Sequence, residues 1–183
     1  MNVAVCDYGA GNVRSVVVAL ERLGANARAT TSPAEVAAAG LAVLPGVGSA
    51  ASAMSALGQH GLDAALRRRV ADGGATLGIC LGLQLALDES EEDGGVVGLG
   101  IVPGRAVRLR GERVPRIGWA EVEPEGEAFY FAHSYAAETP AAVSTSEGIV
   151  AAARHGSFLG VQFHPEKSGP AGARFLERCL SRA

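Results

Sequence analysis

The 183 residues carry a net charge of −3 at pH 7, with 48% hydrophobic and 19% charged residues and 25 glycines. A chain of this size supports one domain with a substantial core, here residues 1–183, and its charge balance gives no reason to expect a nucleic-acid partner. No apolar run approaches the ~18 residues of a membrane span, and Met1-Asn2-Val3-Ala4-Val5-Cys6-Asp7 lacks a basic leader, so neither a membrane segment nor a signal peptide is expected.

In chain order, residues 3–6 read as a short buried strand ending in the Gly-rich loop Asp7-Tyr8-Gly9-Ala10-Gly11-Asn12. A helix follows over 13–23, with apolar residues at 13, 16, 17, 20 and 23. This strand–loop–helix lacks the third glycine of a dinucleotide fingerprint, so no nucleotide site is expected. Residues 25–30 make a second strand, Ser32-Pro33-Ala34-Glu35 a helix start, and 41–44 a third strand ending at Pro45-Gly46-Val47-Gly48-Ser49. Helical patterns cover 50–57 and 62–70, Gly73-Gly74 breaks the second, and strand 75–79 leads into helix 81–87. This alternation predicts an α/β fold, an open and mostly parallel sheet with helices on both faces. After Gly94, short runs at 107–109, 120–122, 128–131 and 149–153 are split by Gly and Pro. They predict a smaller, mainly antiparallel β region on the same domain. Strand 157–163 and helix 171–180 close the chain.

The stretch Gly78-Ile79-Cys80-Leu81-Gly82-Leu83-Gln84 sits where a strand turns into a helix. Its Gly-x-Cys-x-Gly frame is a nucleophile elbow with cysteine in place of serine. The turn exposes the Cys80 sulfur at a sheet edge beside a helix N-terminus, where the dipole favours thiolate. Taken alone, the frame reads equally as a buried inert cysteine. The strand 157–163 delivers His164-Pro165-Glu166 at its carboxyl end, where open parallel sheets place their sites. A thiol needs a base, the base needs a group to orient it, and Cys80, His164 and Glu166 supply one each. Cys6, Cys80 and Cys179 are far apart, odd in number and without zinc-ligand spacing. They point to unpaired thiols in a reducing cytoplasm, with no metal and no cofactor; Cys6 and Cys179 read as structural.

Gly-Ile-Cys-Leu-Gly-Leu-Gln with a distant Phe-His-Pro-Glu resembles the class I (triad) glutamine amidotransferases. Asp7-Tyr8-Gly9-Ala10-Gly11-Asn12, Pro45-Gly46-Val47-Gly48, Gly118-Trp119, His133-Ser134-Tyr135 and His164-Pro165-Glu166-Lys167-Ser168-Gly169 narrow the likeness. Together they look like the glutaminase subunits of imidazole glycerol phosphate synthases, in histidine biosynthesis, over nearly the whole chain. The resemblance implies hydrolysis of L-glutamine to glutamate and ammonia through a glutamyl thioester on Cys80. The ammonia would pass to a (β/α)8 barrel cyclase, bound as a heterodimer, that makes imidazole glycerol phosphate and an aminoimidazole carboxamide ribonucleotide. By the same likeness Leu81, Val47 and Gly48 provide the oxyanion donors, and Gly46, Gln84, Glu92, Ser134 and Tyr135 bind glutamine. Asn12, Trp119 and Lys167 match positions near the partner, and His133 is taken as structural. Trp119 is expected to be exposed for the partner to cover, the plain alternative being that it fills the β region's core.

The chain departs from the family where Pro-His-x-Gly-Trp-Asn becomes Pro115-Arg116-Ile117-Gly118-Trp119-Ala120, and its β-region loops are trimmed. Three other readings stand beside this one. The chain is a triad glutaminase serving pyridoxal phosphate synthesis or nucleotide-sugar amination, a non-catalytic assembly module, or a redox or peptidase-like cysteine hydrolase. Asn12 and Lys167-Ser168 argue against pyridoxal phosphate synthesis, and the intact Cys80, His164 and Glu166 against the non-catalytic module.

Overall fold

Short apolar strands alternate with amphipathic helices through the first half of the chain. They are β1 (Asn2–Cys6), α1 (Val13–Glu21), β2 (Asn26–Thr30), α2 (Pro33–Ala38), β3 (Leu41–Leu44), α3 (Ala50–Gln59), α4 (Leu62–Ala71), β4 (Thr76–Ile79) and α5 (Leu81–Ala86). The second half carries β5 (Glu89–Ser90), β6 (Val96–Val97), β7 (Arg105–Arg108), β8 (Arg116–Val122), β9 (Glu127–His133) and β10 (Tyr135–Glu138). It closes with β11 (Ala142–Ser146), β12 (Ile149–His155), β13 (Phe158–Val161) and α6 (Gly169–Ser181). This computed structural model describes residues 1–9, 12–111 and 114–183; Ala10 and Gly11 of the Gly-rich loop lie outside the described residues.

Local chemistry sets several of these boundaries. Ser32 accepts a hydrogen bond from Glu35 N and Pro33 opens α2, while Ser49 accepts one from Ser52 N at the head of α3. β3 and β4 are buried along their whole length, as strands covered on both faces must be.

The central sheet has seven strands in the order β11-β12-β13-β4-β3-β1-β2. The strands from β13 to β2 pair in parallel, and β12 and β11 extend the sheet antiparallel. Two cores flank it. One gathers Leu44, Leu57, Leu66, Leu83 and Phe158 beneath α3, α4 and α5. The other gathers Val16, Leu20, Leu77, Phe131, Phe163 and Leu176 beneath α1, α6 and β9.

The β region holds a four-stranded sheet, β10-β7-β5-β6, and the separate β8–β9 hairpin. Of its pairings only β5 with β7 is parallel. One expectation is corrected. Residues 149–153 do not join this region; they lie in β12, hydrogen-bonded to β13 in the central sheet. The cause is readable in retrospect. Ala151, Ala152 and Ala153 are all buried, as in a two-sided strand, and Gly156 with φ +56 closes the tight turn to β13.

Candidate active site

The elbow between β4 and α5 depends on its glycines. A side chain on Gly78 would sit 2.6 Å from the Phe158 ring, and one on Gly82 would collide with the Leu44 carbonyl. Cys80 adopts φ 52, ψ −106, outside the ordinary L-residue regions. Such backbone costs on the order of 1–3 kcal/mol and clusters at functional sites. β3 ends beside it. Tyr8 Oη donates to Pro45 O at 2.6 Å, and a Cβ on Gly46 would meet Tyr8 Oη at 2.7 Å and Leu81 at 2.8 Å. Gly46 therefore supports the loop from beneath and does not line the cavity.

β13 brings His164 to the same edge. Its Nδ1 lies 2.9 Å from Glu166 Oε1, and both side chains are almost fully buried. The backbone N–H of His164 donates to Tyr130 O at 2.9 Å. Ser168 Oγ donates to His164 O at 2.6 Å and accepts from Tyr130 N at 3.0 Å, so the turn is pinned to β9. With Nδ1 committed to Glu166, Nε2 is the nitrogen left for Cys80. Burial disfavours the imidazolium, but hydrogen bonds to Cys80 and Glu166 and their charges outweigh it, raising the pKa from 6.5 to about 9.

A cavity of about 250 Å³ opens in front of the sulfur. It is lined by Val47, Gly48, Cys80, Leu81, Gln84 and Glu92 from the first half of the chain and by Pro115, Ile117, Ala132, His133, Ser134 and Tyr135 from the second. Leu81 is the first residue of α5, so its N–H has no intrahelical partner. Gly48 sits at φ +102, a conformation that glycine reaches without a steric penalty. Gln84 Nε2 donates to Tyr135 O at 2.8 Å and to Gln162 Oε1 at 3.1 Å, which leaves its own carbonyl oxygen for the cavity. Glu92 accepts from Ala50 N at 2.9 Å, capping α3 from the cavity rim; burial raises its pKa against that hydrogen bond.

His133 lies 95% buried, with Nδ1 at 2.8 Å from Tyr135 O and no partner for Nε2 among the described residues. Burial drives its pKa down to about 4, so it stays neutral at ordinary pH, as a structural role requires.

The three residues expected at the partner surface separate. Asn12 Nδ2 donates to Glu166 Oε1 at 3.3 Å, so it backs the carboxylate. Trp119 is 59% exposed, packed edge-on to Tyr130, and does not fill the core. Lys167 Nζ lies 5.9 Å from the centre of the same Tyr130 ring. Arg116 turns inward, with its guanidinium 4.3 Å from the Phe131 ring and bonded to Ser146 and Glu147. Sequence reasoning missed two buried participants. Gln162 donates to Cys80 Sγ at 3.5 Å, and Ser168 ties the His164 turn. The available signal was a lone polar residue, Gln162, in an apolar run two positions before His164.

Known proteins bear on this arrangement. The family model "Glutamine amidotransferase class-I" matches residues 4–183. The imidazole glycerol phosphate synthase subunit HisH of Moorella thermoacetica is 43% identical over 193 residues, covering 96% of this chain and 92% of the relative. The chloroplastic imidazole glycerol phosphate synthase hisHF of Arabidopsis thaliana is 41% identical over 199 residues, covering 97% of this chain but 34% of that protein. A solved structure described as a glutamine amidotransferase superposes with a TM-score of 0.81 at 21% identity, covering 99% of each chain. The chain belongs to the class-I glutamine amidotransferases and, within them, to the HisH subunits of imidazole glycerol phosphate synthase.

Proposed function

We propose that this chain hydrolyses L-glutamine to L-glutamate and ammonia for imidazole glycerol phosphate synthesis, with Cys80, His164 and Glu166 as its triad. The carrying observation is the geometry at one sheet edge. A cysteine in a strained elbow faces a histidine held at 2.9 Å by a buried carboxylate, at a cavity of about 250 Å³.

His164 Nε2 takes the Cys80 proton, and the sulfur attacks the carboxamide carbon. The Leu81 N–H and the Val47–Gly48 peptide meet the oxyanion. The imidazolium then protonates the leaving nitrogen, the C–N bond breaks, and ammonia departs from a glutamyl thioester. Water, deprotonated by His164, attacks the thioester and releases glutamate and the thiolate. Glu166 holds the ring tautomer throughout. Gln84, Glu92, Ser134 and Tyr135 hold the amino-acid end of the substrate, and Gly46 shapes the loop that presents the oxyanion donors.

A (β/α)8 cyclase is the partner of this reading. Val47, Ile117 and Trp119 are exposed apolar residues; the first two line the cavity, and Ile117 and Trp119 point the same way along β8. Exposed apolar surface at a cavity mouth fits a surface that a partner covers. The hisHF relative extends well beyond the aligned segment, as expected of a chain carrying both activities. Among the described residues no helix is long and apolar enough to cross a membrane, and with its unpaired thiols the chain fits the cytoplasm. The test is Cys80→Ala in the complex. Glutamine-dependent synthesis should vanish while synthesis from added ammonia persists; retained glutamate release would overturn the assignment.

A further inference from the structure

Gln162 directly follows β13, whose last residue is Val161, stands two residues before His164 and is fully buried. Its amide lies against the Cys80 sulfur and His164 hydrogen-bonds the same sulfur, so the segment that brings the base also brings an amide to it. The amide orientation is set by its surroundings. Gln84 Nε2 lies 3.1 Å from Gln162 Oε1 and can only donate, so Oε1 must be the acceptor. That leaves the NH2 group facing Cys80, with Nε2 at 3.5 Å from Sγ. The other neighbour of the sulfur is the Ala132 carbonyl, at 3.8 Å. A carbonyl accepts from a thiol and repels a thiolate, whereas an amide N–H favours the thiolate.

We propose that Gln162 is a catalytic residue, its side-chain amide stabilising the Cys80 thiolate both before attack and as the leaving group from the thioester. This rests on Cys80 being the nucleophile. The proton still goes to His164; Gln162 exchanges none. A donor to sulfur also lowers its intrinsic nucleophilicity, but by less than it raises the thiolate population when the thiol would otherwise stay protonated. The hydrolytic half-reaction gains a second time, because the C–S bond breaks to place negative charge on that sulfur. The Gln84–Gln162 link passes the same constraint to the Tyr135 carbonyl across the cavity.

The titratable groups around the sulfur are His164 with Glu166 behind it, Tyr8, and His133 and Glu92 in the cavity lining. None of them is altered by the test. Iodoacetamide alkylation of Cys80 is followed by peptide mass across pH in the unaltered chain, Gln162→Leu and Gln162→Glu. The Cys80 peptide is read separately because Cys6 and Cys179 are also thiols. Gln162→Leu should raise the midpoint of the alkylation profile, slow alkylation about tenfold at pH 7 and lower kcat with KM little changed. Gln162→Glu keeps the acceptor for Gln84 but places a carboxylate against the sulfur, so its midpoint should rise further. It also carries the test should the leucine variant not fold. A midpoint matching the unaltered chain in the folded variants would overturn the role of Gln162. If alkylating Cys80 in the unaltered chain left glutamine hydrolysis intact, the nucleophile assignment would fall and the role of Gln162 with it.

Discussion

The two ends of the central sheet differ in a way that size does not predict. At the carboxyl ends of β3, β4 and β13 lies the cavity of about 250 Å³ that holds Cys80. Near the amino ends of the same strands, between the sheet and α6, lies a cleft of about 750 Å³. Phe129, Phe163, Phe175, Leu159, Arg154 and Cys179 are among its lining residues. The larger opening also holds a thiol and guanidinium groups, but no histidine is among its described lining residues. Burial pushes Cys179 up to about 11, even though Arg154, Arg178 and Arg182 oppose the shift, so it stays protonated and inert at neutral pH. The smaller opening sits where strands hand over to loops and a helix start. Those loops bring the proposed nucleophile, base and backbone donors together from separate segments. The position of side chains relative to strand ends, not cavity volume, marks the reactive end.

The sharpest way to break this contrast is at the base. Glu166→Gln should leave binding largely intact and lower kcat by roughly 10³–10⁴, since the ring loses its tautomer control. A steady-state assay in which only KM rises would reassign Glu166 to binding. At the opposite end, Phe175→Ala should cost roughly 1–2 kcal/mol of stability, because its half-buried ring packs edge-on against Phe129 and Phe163. Its kcat should remain unchanged when assayed well below the unfolding temperature. A large loss of kcat in this folded variant would mean that the amino-end cleft takes part in the chemistry.

A smaller effect is expected at the rim of the reactive end. Trp119→Ala should weaken partner binding about tenfold while the free chain's basal glutaminase rate stays as it was. Titration of the partner into labelled protein measures the first quantity, and glutamate release by the isolated chain the second. Partner plus acceptor ligand should also raise kcat far more than it lowers KM, and equal kcat with and without partner would remove gating from this site.

A further effect is a slope of stability with pH, set by two histidines. His164 is raised from 6.5 to about 9, so its contribution is fully present below pH 6.5 and is lost as pH rises through 9. His133 is lowered to about 4, so the unfolded chain binds its proton first and stability falls as pH drops from 6.5 toward 4. Denaturant melts at a series of pH values should show both limbs, and Glu166→Gln should flatten only the alkaline one.

The sequence by itself determined the alternating α/β architecture, the elbow and the residues proposed as the triad. These are local signals: apolar strands between helix caps, glycines where Cβ atoms would collide with Phe158 and Leu44, and His-Pro-Glu at a strand end. The family likeness also named Val47, Gly48, Leu81, Gln84, Glu92, Ser134 and Tyr135, which line the cavity, but not Pro115, Ile117 or Ala132, which line it too. What it did not determine depends on partners far apart in the chain. The placement of β12 rests on pairing with β13, and an isolated run of alanines does not reveal which sheet will cover it. Asn12 reads as a surface residue until folding sets it 3.3 Å from a carboxylate 154 positions away. Gln162 reads as a polar interruption of a core strand until the elbow brings Cys80 against it. Only the tertiary structure decided these, because a buried polar group takes its role from whichever donor or acceptor packing places within about 3 Å, and sequence order does not encode that distance.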